Sequence, residues 1–196
     1  MLCYSFCAEF FAQIFYGANL FEKIKELDLS NNYFYDRESK SLKKGLFLLS
    51  KPCELSEVKA DFTRLFIADL GGTKAPPFAS FYYLAGELEI YSQNSVQVFE
   101  KYKENNFSHY FIDLPADAVS NELLFLNFAF KNENLELAKE FLEDEILPYA
   151  FKFCDNIINN ANTTYYQAFG YLFEDYLNLL KEKFDLKPKK RYINSV

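Results

Sequence analysis

A chain of 196 residues is long enough to bury one hydrophobic core without disulfides or metals to staple it. Half of the residues are apolar, 19% are aromatic and the formal charge is −7, yet no window approaches the roughly 18 unbroken apolar residues of a membrane-spanning helix. The expectation is one soluble domain with no stable membrane insertion. Met1–Phe10 has no basic residue ahead of its apolar stretch and Glu9 interrupts it, so no secretory signal is expected and the cytoplasm is the expected compartment.

Helical spacing runs through the chain. Phe6, Phe10 and Ile14, then Leu20, Ile24 and Leu27, recur at intervals of three and four with Gly17 between the two sets, which predicts two short helices. The polar interval from Ser30 to Lys44 reads as a loop. Leu55, Val58, Phe62, Leu65 and Phe66 form the next stripe, with Gly71-Gly72 as its stop. Pro76 and Pro77 exclude helix at the residue before each, and a helix can restart between Ala79 and Leu88. Phe99 and Tyr102 belong to another.

Asp117, just after Pro115, is placed to cap a helix running through Leu123, Leu124 and Phe128. Ala138, Leu142, Tyr149, Phe153 and Ile157 continue the pattern, and Pro148 predicts a kink or break. The final helix is entered through Asn162-Thr163-Thr164 and keeps Tyr166, Phe169, Phe173, Tyr176, Leu180 and Phe184 on one face. Runs such as Glu89–Tyr91 and Val96–Val98 are too few to make a sheet. The expected fold is all-α: one helical bundle of about ten helices over residues 1–180, followed by a basic tail, 181–196, expected to fray.

Charge is unevenly spread. Lys181, Lys183, Lys187, Lys189, Lys190 and Arg191 stand with Glu182 and Asp185 at the end; taking them from the totals of 21 basic and 28 acidic residues leaves 15 and 26, a balance of −11. Between Asp113 and Glu145 nine acidic residues meet only Lys131 and Lys139. Such a surface repels nucleic acid and favours a cationic partner; a solvated helix face explains the same residues.

Catalytic and metal chemistry find little support. Cys3 and Cys7 are a helical turn apart, Cys53 and Cys154 are isolated, and His109 is the sole histidine, so neither a metal set nor a disulfide framework is expected. Gly71-Gly-Thr-Lys74 follows a helix and lacks the order of a phosphate loop. His109, next to Tyr110 and Phe111, stands in no recognisable arrangement of acid and nucleophile. Asp117 and Glu122 are five residues apart, which on a helix separates them by more than a turn. No catalytic residue, metal or cofactor is expected.

Four motifs in order do carry a signal. Asp61-Phe-x-x-Leu65-Phe66, Pro76-Pro77-x-x-Ser80-x-Tyr82, Pro115-x-Asp117 with a following acidic residue and Leu123-Leu124, and Leu147-Pro148-Tyr149 followed by Tyr165-Tyr-Gln-Ala-Phe169 resemble the TorD/DmsD family of redox enzyme maturation chaperones. The resemblance runs from about Tyr4 to Leu180. It implies a TorD-like bundle and a cytoplasmic chaperone, not an enzyme, that binds the twin-arginine signal peptide of a molybdenum-cofactor oxidoreductase until cofactor insertion and folding are complete. The partner implied is that precursor. A signal of cationic start and apolar middle asks for an apolar groove with carboxylates beside it. Asp61, Leu65, Phe66, Pro76, Pro77, Phe78, Ser80 and Tyr82 are the expected groove, with Asp117 and Glu122 meeting the arginines; Leu65 and Phe66 equally suit simple core packing.

One departure stands out: much of that family has histidine after the aspartate, and this chain has Ala118. Domain-swapped dimers hinged near Asp113–Asp117 are a family-level expectation beside a monomer. Two other readings stay open. One is a NarJ-type chaperone of a molybdoenzyme without an exported signal; the other is a helical enzyme holding a small apolar ligand among its Tyr and Phe side chains.

Overall fold

The structure, a computed structural model, describes residues 1–26, 38–67, 72–83 and 92–189. Within them lie ten α-helices: α1 Leu2–Tyr16, α2 Phe21–Glu26, α3 Lys40–Leu49, α4 Leu55–Phe62, α5 Ala79–Tyr82, α6 Gln93–Glu104, α7 Val119–Lys131, α8 Leu135–Phe141, α9 Leu147–Asn160 and α10 Thr164–Phe184. No strand occurs among the described residues, where Phe78 and Ala118 form one isolated antiparallel bridge. No described helix is long and apolar enough to cross a membrane.

Local chemistry sets most of the boundaries. The side chains of Ser39, Ser92, Asn134 and Thr163 accept hydrogen bonds from backbone amides in the first turns of α3, α6, α8 and α10, each satisfying a donor that has no partner inside its helix. A reciprocal pair, Glu54 and Glu57, does this for α4. Pro148 sits in the first turn of α9, where its missing N–H costs nothing. The expected break at Pro148 is a wide π-turn, Leu142–Ile146, joining α8 to α9, and a second, Thr63–Ile67, extends α4. The expected loop at Ser30–Lys44 lies partly outside the described residues, and its end is helical, since α3 begins at Lys40. Leu27, Gly71, Leu84–Tyr91 and the residues from Lys190 onward also lie outside them.

Packing is organised on two long seams. Helix α1 lies along α7, and α10, about 30 Å long at the usual helical rise, runs between α3 and α9. Two glycines permit the close approach. A Cβ on Gly45 would fall 2.7 Å from Leu172 Cγ and 3.1 Å from the Ala168 carbonyl oxygen, and one on Gly170 would fall 2.8 Å from Ile158 Cγ1. Aromatic rings fill the interior: Phe15 stands edge-on to Phe153 at 5.1 Å and to Phe173 at 5.0 Å, an arrangement that suits the ring quadrupoles.

Three expectations need correction. Phe6 is 67% exposed, and the buried face of α1 is instead Cys7, Phe11, Ile14 and Phe15, because the stripe that meets α7 and α10 is rotated from the one counted in sequence. Asp117 does not cap α7, whose N-cap is Ala118 and receives no side-chain bond. The basic end does not fray at residue 181: α10 continues to Phe184, and Leu186 is buried.

Candidate functional site

The expected site residues fall in two neighbouring groups. The first is built on the end of α4. Asp61, 3% exposed, has Oδ2 accepting from the Asn162 amide at 3.0 Å and from the Thr163 amide and hydroxyl at 2.8 Å each, while Arg64 Nη2 donates to Oδ1 at 2.7 Å. It therefore fastens α4 to the amino end of α10, where a negative charge is favoured by the helix dipole. Arg64 also reaches the Asn160 carbonyl. A cleft of about 420 Å³ opens here, lined also by Cys53 and Glu57. Leu65 and Phe66 point the other way, into the core. Phe66 lies 5.3 Å from Tyr166 and 6.0 Å from Phe153, ring to ring.

The second group is a seam between the Pro76–Tyr82 segment and the residues before α7. Ala79 N donates to Asp117 O at 3.0 Å, Val119 N to Pro77 O at 2.9 Å, and Ser80 N to Asp117 Oδ2 at 3.0 Å. The Asp117 side chain thus caps α5, its neighbour in space, and not the helix that follows it in sequence. Asn94 Nδ2 approaches the same oxygen at 3.5 Å. The other oxygen, Oδ1, is buried and has no hydrogen-bond partner among the described residues. Such an atom is costly to desolvate.

Below the seam, Tyr82 stacks on Tyr149 at 5.4 Å, and the Tyr149 hydroxyl donates to Glu122 Oε2. Asp117 and Glu122 are both fully buried. Burial pushes the Tyr149 hydroxyl well above its ordinary pKa, and the nearby charges of Glu122 and Asp117 add to this. Tyr102, raised by burial and then by Glu122, Asp117 and Glu145, feels all three carboxylates. The two acids that sequence spacing set more than a turn apart therefore belong to one cluster, because Asp117 lies before the helix and not on it. Phe153 connects the groups, at 6.0 Å from Phe66 and 6.5 Å from Tyr82.

The seam is closed in this structure. Leu65, Phe66, Pro76, Pro77 and Tyr82 are buried, and Phe78 and Ser80 are half-buried, so these residues form no open apolar wall here. Ala118, at the position where much of the resembled family has histidine, is fully buried. Exposed apolar surface lies instead on the preceding loop, with Tyr110 74% and Ile112 83% exposed. His109 on the same loop packs edge-on against Phe99 at 5.6 Å, and burial lowers its pKa.

Sequence reasoning missed Asn121. Its side chain accepts from Phe111 N at 3.2 Å and donates to the carbonyls of Phe111 and Pro115 at 3.1 Å each, holding the loop that delivers Asp117. The one available signal was an amide flanked by apolar helix positions, where polar side chains need partners. Lys101 was missed too. It pairs with Glu145 at 2.8 Å and Asp144 at 3.4 Å; burial opposes its charge, but these partners outweigh burial and hold its pKa above the usual lysine value.

The described residues form an all-helical bundle with a buried acid pair beneath a two-proline seam. Residues 36–155, more than half of the chain, match the family model described as nitrate reductase delta subunit. The chain belongs to that family, within the TorD/NarJ superfamily of redox enzyme maturation chaperones. A crystal structure from Archaeoglobus fulgidus, titled as a redox enzyme maturation protein, is 18% identical with a TM-score of 0.47, over 72% of this chain and 79% of that one. No curated protein matches the chain.

Proposed function

We propose that this chain is a cytoplasmic chaperone that holds the N-terminal twin-arginine signal peptide of a molybdoenzyme precursor until cofactor insertion and folding are complete. The observation that carries the reading is Asp117: a fully buried carboxylate whose Oδ1 has no hydrogen-bond partner among the described residues, at a seam fastened by few bonds. Parting that seam would present Asp117 and Glu122 to guanidinium groups, with Pro76, Pro77, Phe78 and Tyr82 beside them for the apolar middle of the signal. Asp61, Leu65 and Phe66 support this wall from behind, and Ser80 passes its backbone donor between wall and acid. A planar guanidinium can bridge two carboxylate oxygens, which an ammonium cannot do in the same way.

A second reading has its own support. The matched family is described by nitrate reductase, which favours a NarJ-type client whose N-terminus is retained and not exported. The same seam would then receive a segment without the arginine pair.

The test is a comparison of two synthetic signal peptides, identical except for two consecutive arginines in one and two lysines in the other. Asp117→Ala is expected to weaken the arginine peptide about tenfold, the scale of a lost charged hydrogen bond, and the lysine peptide less. Equal losses would remove Asp117 from guanidinium recognition, and indifference of the wild-type protein to the arginine pair would favour the NarJ-type reading.

A further inference from the structure

After α10 the chain turns back at Asp185, which has the left-handed φ of 50°, and Leu186 is buried. The next residues lie over the π-turn between α8 and α9. Lys187 N donates to a Glu143 carboxylate oxygen, Lys189 N donates to Glu143 O at 2.9 Å, and Lys189 Nζ is 2.7 Å from each oxygen of Asp144. Lys101 reaches the same turn from α6. The strap and the turn are more than 40 residues apart in sequence, so this is a tertiary contact.

The two sides of the contact differ. The Asp144 side chain is 11% exposed and the Lys189 side chain 65%, so the acid is built into the fold and the base lies on its surface. An ion pair with so exposed a partner contributes little net stability, and another cation can displace it. The turn is also continuous with the seam: the Tyr83 hydroxyl, just after α5, donates to Glu145 O at 3.0 Å.

We propose that the acidic turn Glu143–Glu145 receives a basic stretch of the client peptide, and that Lys187–Lys189 is this chain's own stand-in for it, displaced when the client binds. The occupant is a cationic peptide segment, chosen by the charge of the site and by the lysine that now fills it. Arginine suits it better than lysine, because the two oxygens that Lys189 bridges match a guanidinium fork. The strap also adds to the pairing that Lys101 gives Asp144 while no client is bound, and so shields the turn from other cations.

The inference rests on the chaperone reading above, and one experiment separates their failures. A fluorescent peptide with a basic stretch, Arg-Lys-Arg, ahead of the two arginines and ten apolar residues is titrated into the wild-type protein, Lys189→Ala and Asp144→Asn. If the strap is seated about four-fifths of the time, freeing the turn tightens apparent binding about fivefold. The expected result is therefore tighter binding by Lys189→Ala, weaker binding by Asp144→Asn, and loss of hydrogen-exchange protection at the Lys187 and Lys189 amides when peptide saturates the wild type. Lys189 is exposed, so its variant folds whether or not Asp144→Asn does. Binding by Lys189→Ala no tighter than wild type, or strap amides still protected at saturation, overturns the inference while leaving the chaperone reading standing. Failure of the peptide to bind even Lys189→Ala overturns both.

Discussion

Tyr149 and Glu122 make the energetic stakes of the site clear. A carboxylate with no exposure survives in a helical core only where donors replace the water it has lost, and Tyr149 supplies one of them. Tyr149→Phe keeps the ring and its stacking on Tyr82 but removes the donor, and is expected to cost about 2 kcal/mol in chemical denaturation, the range for hydrogen bonds to charged groups. A loss below about 0.5 kcal/mol would mean that Glu122 is neutral or otherwise satisfied. At this scale the sequence was legible where the chemistry was local: the entry read at Asn162-Thr163-Thr164 is where Thr163 caps α10. Asp117 was not, because its oxygen accepts from Ser80, 37 residues earlier. A side chain that caps a distant helix leaves the same short-range pattern as one that caps its own.

Among the elements, α10 shows how far periodicity reaches. Its start and most of its apolar face followed from the sequence, since Tyr166, Phe169, Phe173, Tyr176 and Leu180 are all buried. Its partners could not be read, because the close approaches at Gly45 and Gly170 depend on which helices cross there. Glycine in mid-helix otherwise favours alanine by about 1 kcal/mol. Gly170→Ala tests which effect wins: the new Cβ would stand 2.8 Å from Ile158 Cγ1 and 3.2 Å from Ile157 Cγ2, and those β-branched side chains have little room to turn. We expect a net destabilisation of about 1–2 kcal/mol, measured as a lower thermal midpoint. A higher midpoint would show that α9 and α10 can separate without cost. The π-turns escaped sequence reading for a related reason, since an extra residue per turn shifts the apolar stripe without interrupting it.

For the whole molecule, composition and helical spacing led to an all-α bundle, and ordered motifs led to the TorD/NarJ superfamily to which the chain belongs. The site was only partly legible. Phe66 and Tyr82 lie against Phe153 and Glu122 accepts from Tyr149, while Asp61 bonds the start of α10; their burial, and the strap over Glu143–Glu145, depend on contacts between distant parts of the chain. The proposed client is a molybdoenzyme precursor, and the most direct measurement is its capture. Tagged protein recovered from its native cells, with the bound proteins and their N-termini identified by mass spectrometry, is expected to carry one molybdoenzyme with its twin-arginine signal intact. A molybdoenzyme lacking that signal would contradict the signal-peptide reading in favour of the NarJ type, and the absence of any molybdoenzyme would contradict the proposed client altogether.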